Sequence, residues 1–173
     1  EIANANKLWV LDDAAQSFGS SYKNKISGNL SDISATSFFP AKPLGCYGDG
    51  GAFFTNNENY YKIAYSAHLH GMGSNKYEYD RIGMNARIDT IQAAILIEKL
   101  KIFKSELINR DKLAKYYKKQ FLDHGTNIKL PKVISGATSS WAQFTIQLPL
   151  TCDRENFQIK MKEKGIPTAI YYP

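Results

Sequence analysis

The sequence predicts an α/β fold followed by a smaller α+β unit, and three observations carry that reading. Short apolar runs stop abruptly at polar or turn residues, as strands buried on both faces of a parallel sheet do. Between residues 88 and 122 apolar positions recur at helical spacing. Beyond about residue 125 a half-buried, alternating strand pattern takes over and leads into a short helix. The 173 residues fit one domain and part of another. The expected division is 1–124, including the long helix, and 125–173.

Lys7–Leu11 (KLWVL) is the first candidate strand, ended by Asp12-Asp13. The second is Ile33–Phe39, ended by Pro40, and the third is Gly51–Thr55 (GAFFT), ended by Asn56-Asn57. Asn57 is placed to cap a helix over Glu58–Leu69, with Gly71 just past its end. Residues 71–86 are rich in Gly, Asn, Ser and Tyr and read as a long loop with a functional role. Ile88, Ile91, Ile95, Leu100 and Phe103 then mark one long helix or two in sequence, between Asp89 and Gly125. Pro131–Ser140 reads as a linker. Ala142, Phe144, Ile146 and Leu148 alternate with Gln143, Thr145 and Gln147 as in a half-buried strand. Asp153–Lys164 is a short helix closed by Gly165, and Thr168–Tyr172 a last strand. There is no internal repeat or low-complexity tract.

Hydrophobic residues make up 43% and charged residues 22%, an ordinary globular balance. No apolar run is long enough to span a bilayer, and the start does not read as a signal peptide. The net charge is +6 and the pI about 9.2, but the lysines are spread. Their densest stretch, Lys112–Lys119, also carries Leu113, Tyr116 and Tyr117, and reads as the solvated face of a helix rather than a nucleic-acid patch. Cys46 and Cys152 form no CxxC, which fits a reduced, cytosolic protein. His68 and His70 have no third ligand at a recognisable spacing, so a helix end is the preferred reading over a metal site.

Residues with chemistry gather behind the first three strands. Asp12-Asp13-Ala14-Ala15-Gln16 follows the first, Ser37-Phe38-Phe39-Pro40-Ala41-Lys42 the second, and Gly45-Cys46-Tyr47-Gly48-Asp49-Gly50-Gly51 runs into the third. In an open parallel sheet such positions line the ligand crevice. An acid, a lysine and a glycine-rich turn suit pyridoxal phosphate: the lysine amine forms a Schiff base, and a carboxylate pairs with the pyridine nitrogen. Small residues such as Ala14 and Ala15 let a flat ring lie close, and the Ser37 hydroxyl can bind phosphate. A lone lysine is usually solvated, and GDGG is not a Walker loop, so it is the combination that carries the inference.

With Gly83-Met84-Asn85-Ala86-Arg87 and Gln92-Ala93-Ala94, these motifs closely resemble the DegT/DnrJ/EryC1/StrS sugar aminotransferases along nearly the whole chain. The resemblance implies an aspartate aminotransferase-like fold (fold type I), here partial: part of the large-domain sheet with its helices, then the start of a small α+β domain. Members of the family extend beyond both ends of this chain, and their front part supplies an aromatic lid and much of the phosphate cradle.

The resemblance implies roles residue by residue. Lys42 is the catalytic, cofactor-bearing lysine and the base that moves the substrate proton. Asp13 pairs with the pyridine nitrogen, Gln16 bonds near the ring oxygen, Ala15 packs on the ring and Ser37 holds phosphate. Asn85 reaches the phosphate site of a neighbouring subunit, implying a homodimer with shared active sites. Arg87 and Tyr172 are implied contacts to an acidic sugar nucleotide; the alternatives are a structural place beside the long helix for Arg87 and a core place for Tyr172. Sugar-dehydrating relatives carry histidine where Lys42 stands, so amino transfer is implied, with a nucleotide-linked keto sugar as acceptor, L-glutamate as donor and bacterial surface-glycan synthesis as setting. The competing reading is an inactive remnant of the fold that serves as an interaction or scaffold piece.

Overall fold

The computed structural model describes residues 2–171. The chain divides into two compact units: Glu1–Asp111 with Ile134–Ala142, and Lys112–Val133 with Gln143–Pro173. Their division falls inside the long helix and returns 134–142 to the first unit, so it does not coincide with the expected boundary near residue 125.

The first unit opens with a four-residue helix α1 (Ile2–Ala5) and strand β1 (Leu11–Asp13). The apolar run of Lys7–Leu11 is therefore not a strand buried on both faces. Leu8, Trp9 and Val10 are exposed, and only Leu11 joins the sheet. The reason lies in the pairing, because among the described residues β1 has one neighbour, β4 (Ile33–Ser37), in parallel register Leu11 with Ile33 and Asp13 with Ala35. Strand β4 ends at Ser37, two residues before the expected end. It pairs on its other side with β5 (Gly51–Thr55), Ser37 opposite Gly51 and Ile33 opposite Thr55. That second pairing is antiparallel, so the sheet is mixed rather than wholly parallel. The connection between β4 and β5 holds no helix. Its ends close directly, Phe38 N–H donating to the Gly50 carbonyl at 2.7 Å, and the chain turns back instead of crossing over.

Two faces of this sheet differ sharply. Asp12, Ser34, Thr36, Ala52 and Phe54 share one face by register, and Ser34 and Thr36 on it are buried. Phe18 packs there, with ring centroids 6.2 Å from Phe54, 5.8 Å from Phe38 and 5.7 Å from Phe103. The other face carries Leu11, Asp13, Ala35, Ser37 and Phe53 and is largely open; Leu11 is 59% and Phe53 42% exposed.

Helix α2 (Glu58–His68) begins as expected, the Asn57 carboxamide oxygen accepting from the Asn59 and Tyr60 amides at 2.9 and 3.2 Å. Gly71 beyond its end has φ +82°, and a Cβ there would lie 1.8 Å from the Arg81 carbonyl oxygen, so no larger residue fits. Helix α3 (Thr90–Asp123) is one continuous helix. Its buried stripe in the first unit is Leu96 and Phe103 with Leu107 packed beside them, and Ile91, expected on that face, is 72% exposed. Leu96 and Phe103 join Leu44 and Cys46, next to Phe18 and Phe38, as the core.

A small second sheet, not foreseen, joins β2 (Ser21–Tyr22), β3 (Lys25–Ile26) and β6 (Ala137–Thr138). The expected linker 131–140 thus contains a strand. It is anchored by the Thr138 hydroxyl, which accepts from the Ser21 amide at 2.9 Å, and by Ser140 N–H donating to Ser20 Oγ at 2.8 Å.

The expected strand Ala142–Leu148, all but its first residue in the second unit, does not form. A single bridge remains, Lys129 and Gln147 exchanging both backbone hydrogen bonds at 2.9 Å. Alternation supplies the pattern, but a strand needs a partner of matching length. Phe144 packs on Tyr117 at 5.3 Å. Helix α4 (Arg154–Glu163) matches expectation, with Asp153 capping it through the Asn156 amide at 3.1 Å and Gly165 beyond it at φ +72°. The expected final strand is absent from 168–171, and Tyr172 lies outside the described residues.

Candidate active site

Parallel pairing puts the carboxyl ends of β1 and β4 at one edge of the sheet, where β5 also begins. Asp13 is the last residue of β1 and Ser37 the last of β4. Two adjacent carboxylates are separated in role by the pleat. Asp12 turns to the covered face and accepts from the Gly28 amide at 2.8 Å. Asp13 is on the open face, where its Oδ1 accepts from the Ala15 amide at 3.0 Å. Ala14 between them is fully buried and continues the pairing, its N–H donating to the Ala35 carbonyl at 2.8 Å. Ala15 is half-buried, and Gln16 is exposed, its carbonyl accepting from the Ser140 hydroxyl at 3.2 Å.

Lys42 sits in a tight turn, its N–H donating to the Phe39 carbonyl at 2.9 Å, with Pro40 at the position that proline's fixed φ favours. The side chain is half-buried, and among the described residues no hydrogen bond or ion pair ties it. The Ser37 hydroxyl accepts from the Phe39 amide at 3.2 Å, which leaves its own proton for an outside acceptor. The loop continues through buried Leu44 and Cys46, Cys46 N–H donating to the Phe38 carbonyl at 2.7 Å. Gly45 is required by close approach, because a Cβ would lie 2.6 Å from the Pro40 carbonyl oxygen.

Asp13, Ala15, Gln16, Ser37 and Lys42 thus gather at one end of the sheet. Asn85 and Arg87 form a separate pair on the loop before α3, Arg87 Nε donating to Asn85 Oδ1 at 3.1 Å. Neither hydrogen-bonds to Asp13, Ser37 or Lys42 among the described residues. Sequence reasoning passed over Lys99 and Arg110 of α3, and noted Gln92 only within a motif. Gln92 Oε1 accepts from the Tyr47 amide at 2.8 Å, Lys99 Nζ donates to the Gly45 carbonyl, and Arg110 Nη2 donates to the Pro43 carbonyl at 3.3 Å. Among the described residues no three His, Cys, Asp or Glu side chains stand together as a metal site, and no helix is long and apolar enough to cross a membrane.

A carboxylate (Asp13), an alcohol (Ser37) and an amine with no hydrogen bond among the described residues (Lys42) thus stand at one end of the α/β sheet. The chain belongs to the DegT/DnrJ/EryC1/StrS aminotransferase family, which residues 1–173 match. It is 45% identical over 172 residues to the UDP-2-acetamido-2-deoxy-3-oxo-D-glucuronate aminotransferase of Pseudomonas aeruginosa, covering 99% of this chain and 46% of that protein. Its fold matches a DegT DnrJ EryC1 StrS aminotransferase from Brucella abortus at TM-score 0.92 and 43% identity, over 99% of this chain and 44% of that one. It also matches NtdA from Bacillus subtilis, solved with bound cofactor PMP, at TM-score 0.83 and 32% identity, over 99% and 39% of the two chains. The expected partial α/β aminotransferase fold is borne out, and pyridoxal phosphate is the cofactor of this family. The chain spans under half the length of these relatives.

Proposed function

We propose that the protein carrying this chain moves an amino group from an amino acid, L-glutamate, to a UDP-linked keto sugar on pyridoxal phosphate, within bacterial surface-glycan synthesis. The single observation that carries the reading is the unengaged, half-buried Lys42 amine, five residues beyond Ser37 and at the sheet end that presents Asp13. The cofactor, when bound, supplies an electron sink that lets an amino group pass between two carbons. The chain's own residues do the rest. Lys42 Nζ would hold the cofactor carbonyl carbon before substrate binds and, once the substrate amine has displaced it, would be free to take up and return the substrate proton. Asp13, oriented by the Ala15 amide, accepts from the ring nitrogen. Ser37 donates its free proton to a phosphate oxygen. Ala15 presents a small surface to the ring, and Gln16 reaches the ring oxygen. Asn85 completes the phosphate site of a second subunit in a homodimer, and Arg87 meets the acidic sugar nucleotide. We assign 1–124 to the cofactor-binding domain, 125–173 to the start of the small domain, and the protein to the cytoplasm.

The similarity to a UDP-sugar aminotransferase at 45% identity supports the substrate class. The test uses the whole protein with added pyridoxal phosphate. A visible absorption band is expected, lost in Lys42→Ala, and glutamate is expected to bleach it. No band in the whole protein would favour a scaffold role for the fold.

A further inference from the structure

The loop that carries Lys42 is held from α3 by three polar side chains. They contact three alternate residues directly after the lysine: Arg110 on the Pro43 carbonyl, Lys99 on the Gly45 carbonyl, and Gln92 on the Tyr47 amide. Between these points the side chains of Leu44 and Cys46 enter the core, both at 1% exposure or less. The loop is therefore fixed on alternate residues from two sides, apolar packing at 44 and 46 and polar contacts at 43, 45 and 47. Upstream, Phe38 closes it with bonds to Cys46 and Gly50.

The helix face explains how three polar groups reach a core loop. Gln92, Leu96, Lys99, Phe103, Leu107 and Arg110 follow one another at three- and four-residue steps, which is a single stripe of an α-helix. The stripe that buries Leu96 and Phe103 is the stripe that carries the polar contacts. Lys99 is half-buried, and its ammonium lies 5.4 Å from the Tyr47 ring centroid, so it meets both the backbone and a side chain of the loop. A carbonyl accepting from an ammonium in a half-buried setting makes one of the stronger hydrogen bonds a protein forms.

We propose that Lys99, with Gln92 and Arg110, is a positioning residue that fixes the backbone of the Lys42 turn and so sets where the Lys42 amine meets the cofactor. The inference rests on Lys42 being the cofactor lysine. Among the described residues, the hydrogen bond and the ring contact of the Lys99 ammonium both go to the loop. Displacing a reacting group by about 1 Å costs on the order of a hundredfold in rate, so a loosened loop is felt at Lys42 even when the fold survives.

The experiment labels the whole protein with pyridoxal phosphate and borohydride. Mass spectrometry then gives the rate at Lys42 relative to Lys62, whose side chain is 68% exposed. Lys99→Met keeps the aliphatic stem and removes the donor. It is expected to stay folded, with the stability loss of one hydrogen bond to a charged group, yet lower the Lys42-to-Lys62 ratio about tenfold or more. Lys99→Arg restores a donor and is expected to recover most of that ratio, which general loosening of the fold would not do. A wild type labelled no faster at Lys42 than at Lys62 removes the proposed function itself. A labelled wild type with an equally labelled, folded Lys99→Met overturns the positioning role alone. Should Lys99→Met fail to fold, Arg110→Met repeats the measurement at the other end of the loop. Wild-type labelling there, or unfolding of both variants, also overturns the proposal.

Discussion

Asp12 and Asp13 are chemically identical neighbours that a two-residue period sends to opposite faces, and their consequences differ accordingly. Asp12 holds the Gly28 amide beneath the sheet, while Asp13 stands at the open strand end, where among the described residues the Ala15 amide alone bonds to its side chain. Asp12→Ala is expected to lower stability by about 1.5–3 kcal/mol, the worth of a hydrogen bond to a charged group, and to leave cofactor affinity near wild type. Asp13→Ala is expected to do the reverse, changing the denaturation midpoint little and weakening cofactor binding by about tenfold or more, the same energy spent on the ligand. Denaturant titration and cofactor titration of the two variants separate the roles; equal effects on affinity would contradict the assignment. The site was legible at this scale where a residue announces itself by place: an acid at a strand end, a lysine after Phe-Pro-Ala, a hydroxyl five residues before it. Lys99 and Arg110 were not legible. A basic residue in a helical repeat looks solvated, and the carbonyls these two meet lie 54 and 67 residues away along the chain.

Local signals decided which elements could be read. Helix α2 is legible with its Asn57 cap, and α4 with the Gly165 that closes it, because such end signals act within a few residues and so are contained in the sequence. The Asp153 cap of α4 is shown by the structure. Asn57→Ala is expected to cost about 1 kcal/mol, seen as a melting temperature lower by about 2–4 °C. Asn57→Asp, which keeps the acceptor, is expected to cost little, and equal losses from both would show that the cap does not carry the effect. Strands lack such closure. The alternation over 142–148 is real, yet only the Lys129–Gln147 pair found a partner. Gly51–Thr55 was correct in its bounds but antiparallel, because direction depends on how Phe38 closes the β4–β5 loop and not on the strand's own residues. On α3 the expected apolar positions include the buried Phe103 but not Leu96: isoleucines lie on several sides of the helix, and packing against Leu44, Cys46 and Phe18 selects Leu96 and Phe103.

For the molecule as a whole, the two compact units differ in what stabilises them, and that difference is measurable. The first unit contains the buried cluster of Leu44, Cys46, Leu96 and Phe103, with Phe18 packed against it, and the β4–β5 pairing. In the second unit Ala114 is the one described hydrophobic residue that is buried, and α4 contributes none. Local opening is easiest where few apolar contacts must be broken, so protection of backbone amides should follow this distribution. Hydrogen exchange of the whole protein is expected to show the amides of β4 and of α3 around 96–107 exchanging near the rate of global unfolding. Those of α4 should exchange at least about a hundredfold faster, corresponding to an opening cheaper by about 3 kcal/mol. Cofactor addition sharpens the test. If Lys42 and Asp13 hold the ligand, saturating pyridoxal phosphate stabilises the state that binds it, by about 2.7 kcal/mol at a hundred times its dissociation constant. The slow amides of β1, β4 and the 38–50 loop should then slow further, while those of α4 are expected to keep their rate. Uniform slowing of both units would instead mean that they open together, and α4 protection equal to that of β4 would show that its few buried contacts do not govern its stability.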